Sequence, residues 1–281
     1  MHVKHIVFPL DYSEACRRTA PYVELAARSF GARVSLLHVL SLFPAWAGDM
    51  LPFLSDSEMQ MLLSSERKAL YAFARQVLSN DIVENSAKVE VITHLQGEPA
   101  AKIVQYATER QANLIMMPTH GLGTFRRLLI GSVTAKVLHD APMPVWTAVH
   151  SASMTEPRSN VFSERILCAI DFGPHAVEVL RTAQQLAERF TAKWRVVHVV
   201  EREAAEEQAR IQAMRVMDAA GVSAPLCVGY GSPASAIRQF ACETQSDLIV
   251  IGRGRLTENW GRLRTNVYAI IRESPCPVLS V

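Results

Sequence analysis

Apolar residues along this chain follow two alternating rhythms. Short runs such as Ile6–Leu10, Leu114–Met117 and Leu248–Ile251 are almost continuously apolar, the pattern of strands covered on both faces of a parallel sheet. Between such runs lie longer segments whose apolar residues recur every three or four positions, as at Ala20, Val23, Ala26, Ala27 and Phe30, which puts them on one face of a helix. In chain order this predicts strands near 4–10, 33–40, 88–95, 113–118 and 144–148, with helices near 14–30, 57–79, 98–110 and 132–139. A second series follows, with strands near 165–170, 193–200, 224–230, 247–251 and 277–281 and helices between them. Strand–helix alternation of this kind specifies an α/β fold, a doubly wound parallel five-stranded sheet in each series, with a crevice outside the carboxyl ends of the strands. Pro99 and Pro233 each follow a polar residue at a helix start, where a missing N–H costs no hydrogen bond.

The two series are copies of one another. At an offset of 160, Ile6–Asp11 overlies Ile166–Asp171, Leu37-His38-Val39 overlies Val197-His198-Val199, and the helical face of Ala20 to Phe30 overlies Leu180, Ala183, Leu186, Ala187 and Phe190. Further on the offset falls to 134, placing Gly97-Glu98-Pro99-Ala100 on Gly231-Ser232-Pro233-Ala234 and Asn113–Ile115 on Asp247–Ile249. Repeats of this length are whole domains, so the sequence divides into 1–150 and 163–281 with a polar linker around His150–Ser163. The first copy carries 26 extra residues, including the apolar stretch from Leu42 to Leu54. A hydrophobic plug, a cover for the crevice and packing between the two copies are all compatible with it, the plug being favoured because exposed patches this apolar are uncommon.

Composition narrows the function classes. With 281 residues, 49% hydrophobic and 20% charged, the chain can bury two cores. A formal charge of +2 gives no electrostatic ground for nucleic acid or an anionic membrane as the main partner. No run is long enough to span a bilayer and the N-terminal MHVKHIVFPLD lacks a signal-like segment, so a cytoplasmic location is expected. The cysteines, Cys16, Cys168, Cys227, Cys242 and Cys276, form no Cys-x-x-Cys pair, which points to neither a disulfide framework nor a zinc site. The Glu201–Ala220 segment, with Glu203, Glu206 and Glu207 among Arg202 and Arg210, reads as an exposed helix.

The stretch with chemistry runs from Asn113 to Val149. An apolar strand ends at Met117, a loop carries Gly121, Arg126 and Arg127, and Gly131-Ser132-Val133 opens a helix. Unpaired N–H groups and the positive end of the dipole at such a start attract anions; Gly and Ser are also ordinary turn and cap residues. Thr-His-Gly, nine residues, Gly-Ser-Val-Thr and then Pro142-Met-Pro144-Val resemble the ATP-binding signature of the universal stress protein family. That signature is Gly-x-x-Gly, nine residues, Gly-Ser/Thr, and the resemblance extends over both copies. It implies two tandem adenine-nucleotide-binding, Rossmann-like domains, with ATP, accompanied by Mg²⁺, as cofactor. It nominates Asp11 and Val39 for adenine, Met117 for the ribose, and Gly121, Gly131, Ser132 and Val133 for the phosphate end. In the family the closing strands pair across a dimer; here Val145–Ala148 and Val278–Val281 are expected to pair within the chain, and a homodimer is the alternative.

Two departures bear on this. Pro118 stands where the signature has its first glycine, removing a donor and fixing φ. In the second copy Arg264 replaces the glycine at the helix start, so the second site is expected to be degenerate and to serve the fold or a dimer interface. Asp11, and Asp171 in the second copy, also suit a helix cap. His120 is a lone loop histidine, more in keeping with a solvated residue than a catalytic base. The residues show no Walker lysine, no general base with an orienting partner and no ligand set for Mg²⁺. A nucleotide-binding regulatory or stress-response module with an unidentified protein partner, a slow ATPase and a nucleotide-free scaffold of the same fold therefore all remain open.

Overall fold

The computed structural model describes residues 1–41, 55–94, 99–121, 130–149, 162–253 and 262–281, the side chains of 41, 86, 93–94 and 262–265 excepted. The apolar stretch 42–54, Gly97 and Glu98, Arg126 and Arg127, and linker residues 150–161 lie outside them.

The first series comprises β1 (His5–Pro9), α1 (Glu14–Phe30), β2 (Arg33–Ser41), α2 (Asp56–Val77), β3 (Ala87–His94), α3 (Pro99–Glu109), β4 (Leu114–Met117), α4 (Ser132–Asp140) and β5 (Val145–Thr147). The second comprises β6 (Arg165–Ala169), α5 (Ala176–Phe190), β7 (Lys193–Val200), α6 (Glu206–Ala220), β8 (Leu226–Tyr230), α7 (Pro233–Glu243), β9 (Leu248–Ile251), α8 (Arg262–Glu273) and β10 (Val278–Ser280). Both prolines open their helices as their positions require. The Glu201–Ala220 segment differs from the single helix read in sequence: a 3₁₀ turn at Glu203–Ala205 precedes α6. An ion pair joins successive turns of α6, Arg210 lying 2.6 Å from Glu206 with both residues half-buried. A π-helical turn at Ile82–Ser86 leads into β3 and was not expected.

By contacts the chain forms two compact units, one of His2–Thr124 with Gly131–Met143, the other centred on Pro144–Val281. In the first the strand order is β3-β2-β1-β4, and each neighbouring pair is parallel. The chain builds outward from β1 to β3 and then crosses to the other side of β1 for β4. That reversal creates a switch point between β1 and β4, where the following loops diverge and leave a crevice. The second unit repeats the plan as β8-β7-β6-β9-β10, with the switch between β6 and β9. It also holds β5, which runs antiparallel to β10 in the register Val278↔Thr147, Leu279↔Trp146 and Ser280↔Val145. The two closing strands therefore pair within the chain, as expected.

The repeated apolar face of the first helix is core in both copies. Ala20, Val23 and Ala26, like Leu180, Ala183 and Leu186, have no exposed surface; burying a leucine this completely contributes about 2 kcal/mol. Both helices end in a left-handed residue, Gly31 at φ 64° and Thr191 at φ 53°. Glycine suits that conformation, whereas a β-branched residue is strained there.

Candidate functional site

The carboxyl end of β1 fixes the first side of the crevice. Register pairs Pro9 with Leu37, and the Leu10 N–H donates to the Leu37 carbonyl at 2.8 Å, so continuing the ladder sets Asp11 level with Val39. His38 Nδ1 meets the Leu10 carbonyl at 2.7 Å, and the Tyr12 ring packs on the imidazole with centroids 4.7 Å apart. Tyr12 holds φ at 62°, which for a non-glycine residue requires its surroundings to enforce it. Its hydroxyl donates to Glu66 at 3.3 Å, and burial together with that carboxylate pushes its pKa up to about 12.

Asp11 does not cap α1. Ser13 does, its hydroxyl accepting from the Cys16 N–H at 3.2 Å. Asp11 Oδ1 instead accepts from the Ser13 N–H and from the Cys16 thiol, both at 3.1 Å, closing the turn between strand and helix. Asp171 makes the same turn through the Gly173 N–H at 2.9 Å. The other Asp11 oxygen faces Gly121: a methyl group on Gly121 would stand 2.0 Å from Oδ2. The first residue after β1 and the loop after β4 thus meet across the switch point, and the absent side chain at Gly121 is what lets them.

The far wall is the start of α4. The Gly131 N–H donates to the Thr119 carbonyl at 2.8 Å, and the Thr134 hydroxyl donates to the Pro118 carbonyl at 3.0 Å. These two bonds fold the loop's ends together and use Pro118 through its carbonyl, the group that proline retains. Gly131 has φ −58° and ψ 144°, open to any residue, and among the described residues a methyl group there would touch nothing closer than 3.4 Å. The fold therefore does not require glycine at this point. The first helical bond runs from the Ala135 N–H to the Gly131 carbonyl at 2.9 Å. Among the described residues no acceptor is recorded for the amides of Ser132 or Val133. Ser132 is exposed and Val133 half-buried, while Met117, at 4% exposure, contributes little surface to the crevice. His120 Nδ1 lies 3.1 Å from the Thr119 hydroxyl.

The second copy has a crevice at the matching switch point, a cavity of about 190 Å³ lined by Asp171, Val199, Gly252, Arg253 and Asn266 among others. Its helix start differs. Where Ser132 is the first residue of α4, its counterpart Thr265 is the fourth of α8, which begins at Arg262. At the fourth position an amide bonds back within the helix, so it is withdrawn from any ligand. Arg253 also lines this crevice, its pKa lowered by burial to about 10 with Glu178 opposing the shift, and it stays cationic at neutral pH.

The structure brings Asp11, Val39 and Gly121 together at the carboxyl ends of β1, β2 and β4, and it places Gly131, Ser132 and Val133 at the start of α4, which the Gly131 N–H ties to Thr119 in the same loop. Tyr12, Cys16, Thr119 and Thr134 shape the crevice as well and were not read from sequence; the two threonines stood inside the motif, but their hydrogen bonds join segments that only the fold brings together. Burial pushes the Cys16 thiol up to about 12, with Asp11 adding to the shift, and burial raises that of Cys168, so both remain protonated at neutral pH. Among the described residues no group of three or more His, Cys, Asp or Glu could hold a metal ion, and no helix is long and apolar enough to cross a membrane.

Comparison with known proteins gives consistent results. The profile described as Universal stress protein family matches residues 2–148 and again 163–281. A universal stress protein of Thermus aquaticus is 32% identical over 142 residues, spanning 50% of this chain and 96% of that protein. A solved universal stress protein from Archaeoglobus fulgidus DSM 4304 covers 98% of this chain and 95% of its own at 23% identity, with a TM-score of 0.70. Another from Archaeoglobus fulgidus, solved in complex with dAMP, covers 52% of this chain and 97% of its own at 21% identity, with a TM-score of 0.34.

Proposed function

We propose, for a chain that belongs to the universal stress protein family as two Usp domains in tandem, that the first domain binds ATP and the second has lost that mode of binding. In this reading Asp11 and Val39 meet the adenine, the edge of Met117 approaches the ribose, and Gly121, Gly131, Ser132 and Val133 receive the phosphates. The observation that carries it is the start of α4. Two amides there lack acceptors among the described residues, beside a glycine that the fold itself does not need. Partial positive charge at a helix N-terminus, met by a polyphosphate, gives charge-assisted hydrogen bonds. ATP would supply that charge, with Mg²⁺ arriving bound to its phosphates.

The second domain lacks this feature because its helix starts earlier and Arg264 stands where Gly131 does. Occupancy of the first crevice shifts the conformation or partner affinity of the chain, and that change is what a partner protein would read. The proposal is of a regulatory binding module of the cytoplasm rather than a dedicated enzyme.

Titration calorimetry with ATP tests it. One ATP per chain is expected, with no binding in Gly131→Arg protein that keeps its melting temperature. ATP at a hundredfold excess over its Kd would add about 2.7 kcal/mol of stability. Two equivalent ATP molecules per chain, or unaltered affinity in the variant, would contradict it.

A further inference from the structure

We infer that the first domain carries a second anion site, specific for a small free dianion of the phosphate class, at the amino ends of β1, β2 and β3, the edge of the sheet opposite the nucleotide crevice. A cavity of about 220 Å³ lies there, lined by His5, Arg33, Ser35, Lys88, Tyr106 and Arg110 among others. A water needs only ~10–15 Å³ on this kind of measure, so the space admits a tetrahedral oxyanion with solvent around it.

The floor of the cavity is a buried polar relay with one consistent assignment of protons. Tyr106 donates to the Ser35 hydroxyl at 3.1 Å, and Ser35 meets His5 Nε2 at 2.8 Å. His5 Nδ1 lies 3.1 Å from the Arg110 carbonyl. Ser35 accepts from Tyr106 and so donates to Nε2, which puts the imidazole proton on Nδ1 and aims it at Arg110. The imidazole is then neutral, in agreement with burial, abetted by the charges of Arg33 and Arg110, holding its pKa below the usual value.

That assignment leaves Arg33 poorly satisfied. Its contacts on this floor are His5 Nδ1 at 3.3 Å, which already bears a proton, and the Arg110 carbonyl at 3.5 Å. Both exceed the usual range for an N–H donor, and a guanidinium has five donors to place. Among the described residues no carboxylate pairs with Arg33. Nearby, Lys88 lies 2.5 Å and Arg110 4.0 Å from one carboxylate, Glu90. Three cations against one anion leave a formal surplus of two positive charges at the rim, matched by a dianion. The cations come from β2, β3 and the end of α3, so they approach from different sides, as a tetrahedral oxyanion requires and a flat carboxylate does not.

The test uses the full chain and inorganic phosphate, followed by calorimetry and by NMR of the His5 ring. Phosphate is expected to shift the His5 ring signals saturably and to raise its titration midpoint by offsetting the neighbouring cations; acetate at equal concentration does so far less. Arg33→Gln and Lys88→Gln, both exposed positions, keep the melting temperature and bind phosphate about tenfold more weakly. Gly131→Arg leaves the response unchanged, which separates this site from the nucleotide crevice. An unmoved His5 ring, equal response to acetate, wild-type affinity in both charge variants, or loss of the response in Gly131→Arg would each overturn the inference.

Discussion

Gly121→Ala is predicted to damage the fold at a position where backbone conformation gives no hint of it. Its φ lies outside the left-handed region, so alanine is conformationally acceptable; the obstacle is Asp11, whose Oδ2 would stand 2.0 Å from the new methyl group. Relief requires the carboxylate to turn, and turning it breaks the bonds that Oδ1 receives from the Ser13 N–H and the Cys16 thiol, both 3.1 Å long. A hydrogen bond to a charged group contributes roughly 1.5–3 kcal/mol. Asp11 is half-buried, so water recovers part of that and a net loss of about 1–2 kcal/mol is expected. At roughly 2–4 °C per kcal/mol for a domain of this size, the melting temperature falls by about 2–8 °C. Thermal unfolding followed by circular dichroism without nucleotide measures it, with Gly131→Ala as the control, since among the described residues its methyl group meets nothing nearer than 3.4 Å. In an Asp11→Ala background the Gly121→Ala cost should largely vanish, because the two residues are in contact and their effects do not add. Equal melting temperatures for Gly121→Ala and Gly131→Ala, or an undiminished cost in the Asp11→Ala background, would refute the reasoning.

Two further outcomes follow from the packing. Thr191→Gly relieves a β-branched residue at φ 53° where the first copy has Gly31 at φ 64°; a gain of about 0.5–1 kcal/mol is expected after the glycine's extra unfolded-state entropy, read as a higher denaturant midpoint at unchanged m-value. His5 has a folded pKa below 6.5, so between the two values the unfolded chain binds more protons than the folded one. Its contribution is thus complete above pH about 6.5 and is lost as pH falls toward the folded value. Denaturant titrations from pH 7 to 5 check the loss, and ring NMR should show the imidazole titrating below the ordinary histidine range.

Much of this architecture was legible because it is local or repeated. Periodicity placed α1 at Glu14–Phe30 and β7 at Lys193–Val200 with the observed bounds, and the duplicated apolar face identified the core that both copies bury. Closing-strand pairing was also legible, from the family resemblance taken together with two short apolar runs at matching places. What escaped depends on residues distant in sequence. The Asp11–Gly121 contact spans both arms of the switch point, and the His5–Arg110 bond joins a strand start to a helix end. Neither leaves a periodic trace. The bounds of α8, Arg262–Glu273, escaped for a different reason: alignment with Gly131 put Arg264 at the helix start, whereas arginines extend a helix as readily as they occupy a loop. Asp11 was ambiguous between cap and ligand contact, and it is the nearby Ser13 that caps.

The central claim is that the helix start in one domain offers free amides and its twin does not. Amide NMR of the full chain during addition of MgATP tests it most directly. The Ser132 and Val133 resonances should shift strongly and saturate together at one equivalent, while those of Thr265 and Asn266 stay in place. Matching shifts at both helix starts, or movement at neither while ATP binds elsewhere, would contradict the account.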